Sequence, residues 1–177
     1  MEIVADAVIP YSRPLVFATY RDNLPELVRY LPNIREIKVL ARNDRGSEID
    51  LVNEWKGGGD IPAVARSVLH ESMLMWTDHA TWFEHDFRVE WRTDVHAFPG
   101  AVKSEGTNRF VEVPEGTRLS IRGSFTCDAS KVPGVPRLLA KTVGGTIEKV
   151  MVGQIAKNAI EIARGVAKMI GERGSTA

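Results

Sequence analysis

Residues 3–9, IVADAVI, are β-prone and stop at Pro10, and Pro14 opens an apolar-periodic run from Leu15, so a strand, a turn and a short helix are expected. Two prolines frame NLPELVRYLP, Asn23 to Pro32, which leaves room for about two turns of a second short helix, because proline suits a first turn and breaks an interior. Period 2 then takes over. IREIKVLA and SEIDLVNEWK flank a polar Asn43-Asp44-Arg45-Gly46 turn and read as a hairpin with Ile49, Leu51, Asn53 and Trp55 on one face. Gly57-Gly58-Gly59 marks a mobile connection, and IPAVARSVLHESM carries a weak helical pattern that predicts a short helix or an irregular loop.

The stretch WTDHATWFEHDFRVEW, Trp76 to Trp91, lies in the next hairpin, residues 73–84 against 87–96 with His85-Asp86 at the tip. Its register pairs Glu84 with Phe87, Trp82 with Val89, Ala80 with Trp91, Asp78 with Thr93 and Trp76 with Val95. The face carrying these residues is mostly apolar and should point inward, which leaves His79, Glu90, Arg92, Asp94 and His96 outside. Two further strands, Val102 to Glu112 and Thr117 to Asp128, have inward sets that pair in register: Val102, Ser104, Gly106, Asn108 and Phe110 against Cys127, Phe125, Gly123, Ile121 and Leu119. The opposed Gly106 and Gly123 suit a bend in the sheet. A long helix from about Thr142 to Glu172 follows, with Ile147, Met151, Ile155, Ala159, Ile162, Val166 and Ile170 as its apolar stripe. The result is an α+β chain: a strand, two short helices, six strands in antiparallel hairpins, and a long C-terminal helix.

With 177 residues, one domain over 1–172 and a frayed tail at 173–177 are expected. Lys plus Arg balance Asp plus Glu at 23 each, with no block of like charge. That argues against a nucleic-acid partner and against a polybasic membrane patch. MEIVADAVIP has acidic residues where a secretory signal carries Lys or Arg, and no apolar run nears the ~18 residues of a membrane span, so a cytoplasmic protein without integral membrane association is expected. The single cysteine, Cys127, has no CxxC neighbour and reads as a small core residue.

The order of elements resembles the helix-grip fold of the START and Bet v 1-like (SRPBCC) superfamily. VIPYSRPLVFATYRDNLPELVRYLPNIREIKVL, residues 8–40, resembles the opening of its polyketide cyclase/dehydrase branch, with Pro10, Val16, Phe17, Asp22, Leu24, Pro25, Pro32, Ile37, Val39 and Leu40 in the matching places. Val28 and Tyr30 stand where that branch often has Trp. The resemblance implies a curved antiparallel seven-stranded sheet around the long helix, with two short helices between strands 1 and 2 and an apolar cavity between sheet and helix. Fold alone names no ligand.

Histidines spread along an exposed pleat do not bring three or four ligands to one point, so no metal is expected, and no nucleotide or other cofactor motif occurs: the Gly57–Gly59 run lacks the Lys-Ser or Lys-Thr of a P-loop. His70 reads as a surface or loop-packing histidine. Asp78 differs, because the register places it inward among tryptophans, where a carboxylate needs donors or a raised pKa. Its two readings are a structural hydrogen bond to Thr93 or a backbone N–H, and a pocket acid, base or ligand anchor. Asn53, Ser104, Asn108, Gln154 and Asn158 are further polar breaks in inward sets and, with Trp55, Trp76, Asp78 and Trp91, form the candidate ligand-binding set. The leading expectation is a carrier for a small hydrophobic molecule such as a lipid, isoprenoid or polyketide-like compound. The alternatives are a cyclase or dehydratase using Asp78 as acid or base, and an interaction module with a second copy or a protein partner.

Overall fold

A computed structural model describes residues 1–58 and 74–174. Seven strands, β1 (Glu2–Ile9), β2 (Ile34–Asp44), β3 (Glu48–Gly57), β4 (Met75–Phe83), β5 (Arg88–Val95), β6 (Val102–Val113) and β7 (Gly116–Cys127), form one antiparallel sheet in the order β1-β7-β6-β5-β4-β3-β2. Helices α1 (Arg13–Asp22) and α2 (Leu24–Leu27) separate β1 from β2, and α3 (Ala140–Gly174) closes the chain. The expected architecture is observed. The IPAVARSVLHESM segment, with His70, and Gly59 lie outside the described residues, while Gly57 ends β3 and the Gly58 N–H donates to the Asn33 carbonyl at 2.9 Å.

Proline positions the short helices. Pro14 occupies the first turn of α1, where a missing N–H is harmless, after an extended Ser12. The helix stops at Asn23, whose side-chain amide donates to the Thr19 carbonyl at 3.0 Å. Pro25 then opens α2, which tightens into a 3-10 turn at Val28–Tyr30 before Pro32.

The inward registers of β4 with β5 and of β6 with β7 are those expected. Three details differ, and the glycine pair gains a further role. The β4–β5 tip is a four-residue turn over 84–87, not a two-residue turn with Glu84 and Phe87 as its last pair. Phe87 adopts φ 49° there and turns its ring onto Phe17 at 5.3 Å. Gly106 and Gly123 seat an indole: a Cβ on Gly106 would lie 2.6 Å from the Trp91 ring, and one on Gly123 3.2 Å. Arg173 and Gly174 belong to α3 and not to a tail, since Arg173 donates to Asn23 Oδ1 at 2.8 Å and pairs with Glu26 at 3.1 Å. Cys127 ends β7 half-buried, with its thiol pKa raised by burial and then by Glu148 and Asp128.

The core has a closed end and a looser one. At the closed end α1 inserts Phe17 edge-on against Trp82 (5.1 Å) and Phe110 (5.1 Å), and Tyr20 edge-on against Trp82 (5.4 Å). The C-terminal half of α3 buries Ala159, Ile162, Val166 and Ile170, while Ile147, Met151 and Ile155 nearer its start are only half-buried. Gly144 lets that start approach β7, because a Cβ there would meet the Cys127 carbonyl oxygen at 2.6 Å. Helix α3 packs chiefly on β1 and β7, so its contacts with the sheet are concentrated on one side of it.

Candidate functional site: a polar row on the inner face of the sheet

Strand register assembles the site. Asn53 pairs with Asp78, Asp78 with Thr93, and Thr93 with Ser104, so four adjacent strands place one polar side chain each in a single line at about 4.8 Å per strand. Period 2 keeps all four on the helix side. The rows on either side are apolar or aromatic: Trp55, Trp76 and Val95 toward the looser end, and Leu51, Ala80, Trp91 and Gly106 toward the closed end. Asn53 and Ser104 are buried, at 0% and 4% exposure, whereas Asp78 and Thr93 are half-buried and keep an edge to solvent.

The Asp78 carboxyl is the electrostatic centre of the row. Its donor among the described residues is the Asn53 amide, Nδ2 to Oδ2 at 3.2 Å, and not the expected Thr93 or a backbone N–H. Asn53 stands directly across the β3–β4 ladder, where a side-chain amide reaches a carboxylate more readily than the short Thr93 hydroxyl does. Burial raises the Asp78 pKa to about 6, and the Asn53 hydrogen bond only partly opposes this. Burial also raises the Tyr20 phenol, with Asp78 adding to the effect, so α1 delivers a second ionisable group within electrostatic range.

Two buried polar atoms at or beside the row have no partner among the described residues, Asn53 Oδ1 and Trp55 Nε1; Trp82 Nε1, two rows away at the closed end, also lacks one. An unsatisfied buried polar group costs about 1–3 kcal/mol, so the acceptor on Asn53 and the donor on Trp55, adjacent positions on the inner face of β3, need explanation. A molecule carrying a hydroxyl or carbonyl would answer to them.

The other expected site residues fall into separate groups. Trp55 and Trp76 stack at 5.9 Å with planes 13° apart. The Trp91 indole N–H donates to Asn108 Oδ1 at 2.9 Å, and the Gln154 amide donates to Asn158 Oδ1 at 3.1 Å on α3. Asn108 is two rows removed from Ser104 and is engaged by Trp91, so it stands apart from the Asp78 row. Sequence reasoning missed Tyr20. Its signal was the spacing Val16, Phe17, Tyr20, which marks a buried helix face but not the sheet residue that face meets.

On the outer face, His79 pairs with Asp94 at 3.0 Å and Thr77 hydrogen-bonds His96 at 2.8 Å. That face holds a depression of about 590 Å³ with Asp50, His79, Thr81, Glu90, Arg92 and Glu105 on its walls. No group of three or more potential metal ligands converges among the described residues.

No protein-family model and no curated protein matches the sequence. Solved structures do match in three dimensions. TTHA0849 from Thermus thermophilus superposes with a TM-score of 0.65 at 19% identity, covering 95% of each chain. The Zhui aromatase/cyclase from Streptomyces sp. R1128 gives 0.64 at 12% identity, over 98% of this chain and 94% of that one. Ara h 8.0201 gives 0.58 at 11% identity, over 97% and 98%. The fold is the helix-grip fold. At these identities the likeness extends to architecture alone, and the helix-grip frame is one on which an aromatase/cyclase is built. No helix among the described residues is long and apolar enough to cross a membrane.

Proposed function

We propose that the protein binds a small, largely apolar molecule bearing hydroxyl or carbonyl oxygens in the space between α3 and the inner face of β3–β6. The observation that carries this reading is the row Asn53, Asp78, Thr93, Ser104 set between apolar rows, with unpartnered polar atoms beside it. Specific pockets combine an apolar wall with a few placed polar groups. Half-buried Trp76 and Val95 on the sheet, and Ile147, Met151 and Ile155 on the helix, supply the wall at the looser end, with Trp91 on the other side of the row. Asn53 Oδ1 can accept from a ligand hydroxyl and the Trp55 indole can donate to a carbonyl.

A second reading has one observation in its favour. A carboxyl with a pKa of about 6 can give or take a proton near neutral pH, so Asp78 suits acid–base work on an enolisable or dehydrating substrate, as in a cyclase or dehydratase. The structural likeness to an aromatase/cyclase agrees with it. Native mass spectrometry of the purified protein, with organic extraction of anything carried along, tests binding directly. A defined apolar adduct lost in Met151→Trp, which narrows the helix side, is expected. An adduct retained in that variant, or displacement of an apolar dye from wild type and variant alike, would overturn the location.

A further inference from the structure

The loop joining β7 to α3 places two leucines in water. Leu138 is 97% exposed and Leu139 53%, in a 3-10 turn at Arg137–Leu139 that follows Pro136. Nothing in the core requires them there. The neighbouring Val132 turns inward to 5% exposure, so this loop buries apolar residues where it can and projects these two. The local charge leans positive: residues 128–150 carry Lys131, Arg137, Lys141 and Lys149 against Asp128 and Glu148, in a chain whose charges balance overall, and Lys131 is paired with Asp128 at 3.6 Å. Glu148 is occupied by the terminal amine at 3.7 Å and the Cys127 N–H at 2.9 Å, while Arg137, Lys141 and Lys149 have no carboxylate partner among the described residues.

We infer that this loop is a docking surface for an anionic lipid bilayer. Two adjacent leucines on a convex tip match the depth of an interfacial contact, and cations beside them lie where anionic headgroups would be. The basic residues do not form a polybasic run, but Arg137 within the turn and Lys141 in the first turn of α3 flank the leucines. A second copy of the chain fits poorly, since a stable dimer buries roughly 800 Å² per partner and a two-fold contact would oppose like charges. The tip also sits at the looser end of the core, because Cys127 ends β7 and Ala140 starts α3 on either side of it. Bilayer docking does not depend on the pocket reading.

Flotation with vesicles of phosphatidylcholine and phosphatidylglycerol, three to one, at about 0.1 M salt tests the inference. Wild type is expected to float with these vesicles and to remain soluble with phosphatidylcholine alone. Each cation near an anionic surface is worth roughly fivefold in partitioning, so Arg137→Gln/Lys141→Gln should weaken binding roughly 25-fold. Leu138→Ser/Leu139→Ser should weaken it at least roughly tenfold, with urea midpoints unchanged because both leucines are exposed. Wild type that does not float with anionic vesicles, or floats as well after the leucine replacement, overturns the inference. A dimer in sedimentation equilibrium that the leucine replacement converts to monomer also overturns it, and reassigns the tip to self-association.

Discussion

Replacing Asp78 with Asn removes a charge from the inner face while keeping the side chain's shape. The wild-type carboxyl has a folded pKa of about 6 against an ordinary value of 3.8, so the folded state holds the proton more tightly than the unfolded chain does. Stability therefore falls as pH rises from about 4 to about 6, and the full penalty is present above that window. The pKa gap corresponds to about 3 kcal/mol, and the edge Asp78 keeps to solvent lowers the expectation to about 2 kcal/mol. Asp78→Asn is thus expected to match wild type near pH 4 and to exceed it by about 2 kcal/mol near pH 7.5. Asn53 can accommodate the change by turning its unpartnered Oδ1 toward the new amide. Urea unfolding of both proteins across that range isolates Asp78, because every other titrating group is common to the two. A stability difference that does not vary with pH, or a variant less stable at neutral pH, would refute the assignment of Asp78 as a strained inner carboxylate.

Gly106→Ala should lower stability by about 2 kcal/mol in thermal unfolding and alter the near-UV signal of Trp91, since the new methyl would lie 2.6 Å from that ring and 2.5 Å from the Arg122 carbonyl oxygen. Trp82→Ala should lower stability by about 3–5 kcal/mol in urea, because its indole meets Phe17, Tyr20 and Phe110 at 2% exposure. His79→Gln should change stability by less than about 1 kcal/mol, and neither zinc nor a chelator should move the melting temperature, since among the described residues His79 pairs with Asp94 on a solvated pleat and joins no group of metal ligands.

Most of the sheet was legible because two local constraints agreed. The apolar alternation from Trp76 to Trp91 admits one register around a tip near His85, and the inward sets of β6 and β7 match only when turned at residues 113–116. Asp78 was legible as inward for the same reason. Its partner was not, because a hairpin identifies only one of a strand's two neighbours. Thr93 lies within the β4–β5 hairpin, while Asn53 reaches Asp78 across a pairing whose strands lie too far apart in sequence for a tight turn to fix the register. Tyr20 was hidden by a similar gap, since helix periodicity gives the buried face of α1 but not the strand beneath it. Gly106 and Gly123 were visible as a pair, yet the ring they accommodate comes from a third strand.

The inner face is apolar on both sides of one polar row, and the contrast bears on what the row does. Around Phe17 the sheet packs Trp82, Val89, Phe110 and Leu119 almost without exposure, so this sequence can fill a helix–sheet interface with apolar side chains. At the Asn53–Ser104 row it does not, and accepts a destabilised carboxylate instead. Apolar residues in those places would fold at least as well, so stability gives no reason for the polar row. Binding and acid–base chemistry both do, and Asp78→Asn separates them. Asn keeps a hydrogen-bonding side chain in place, so a carrier should retain ligand while gaining stability at neutral pH. An enzyme that moves a proton through Asp78 should retain binding, gain the same stability and lose turnover.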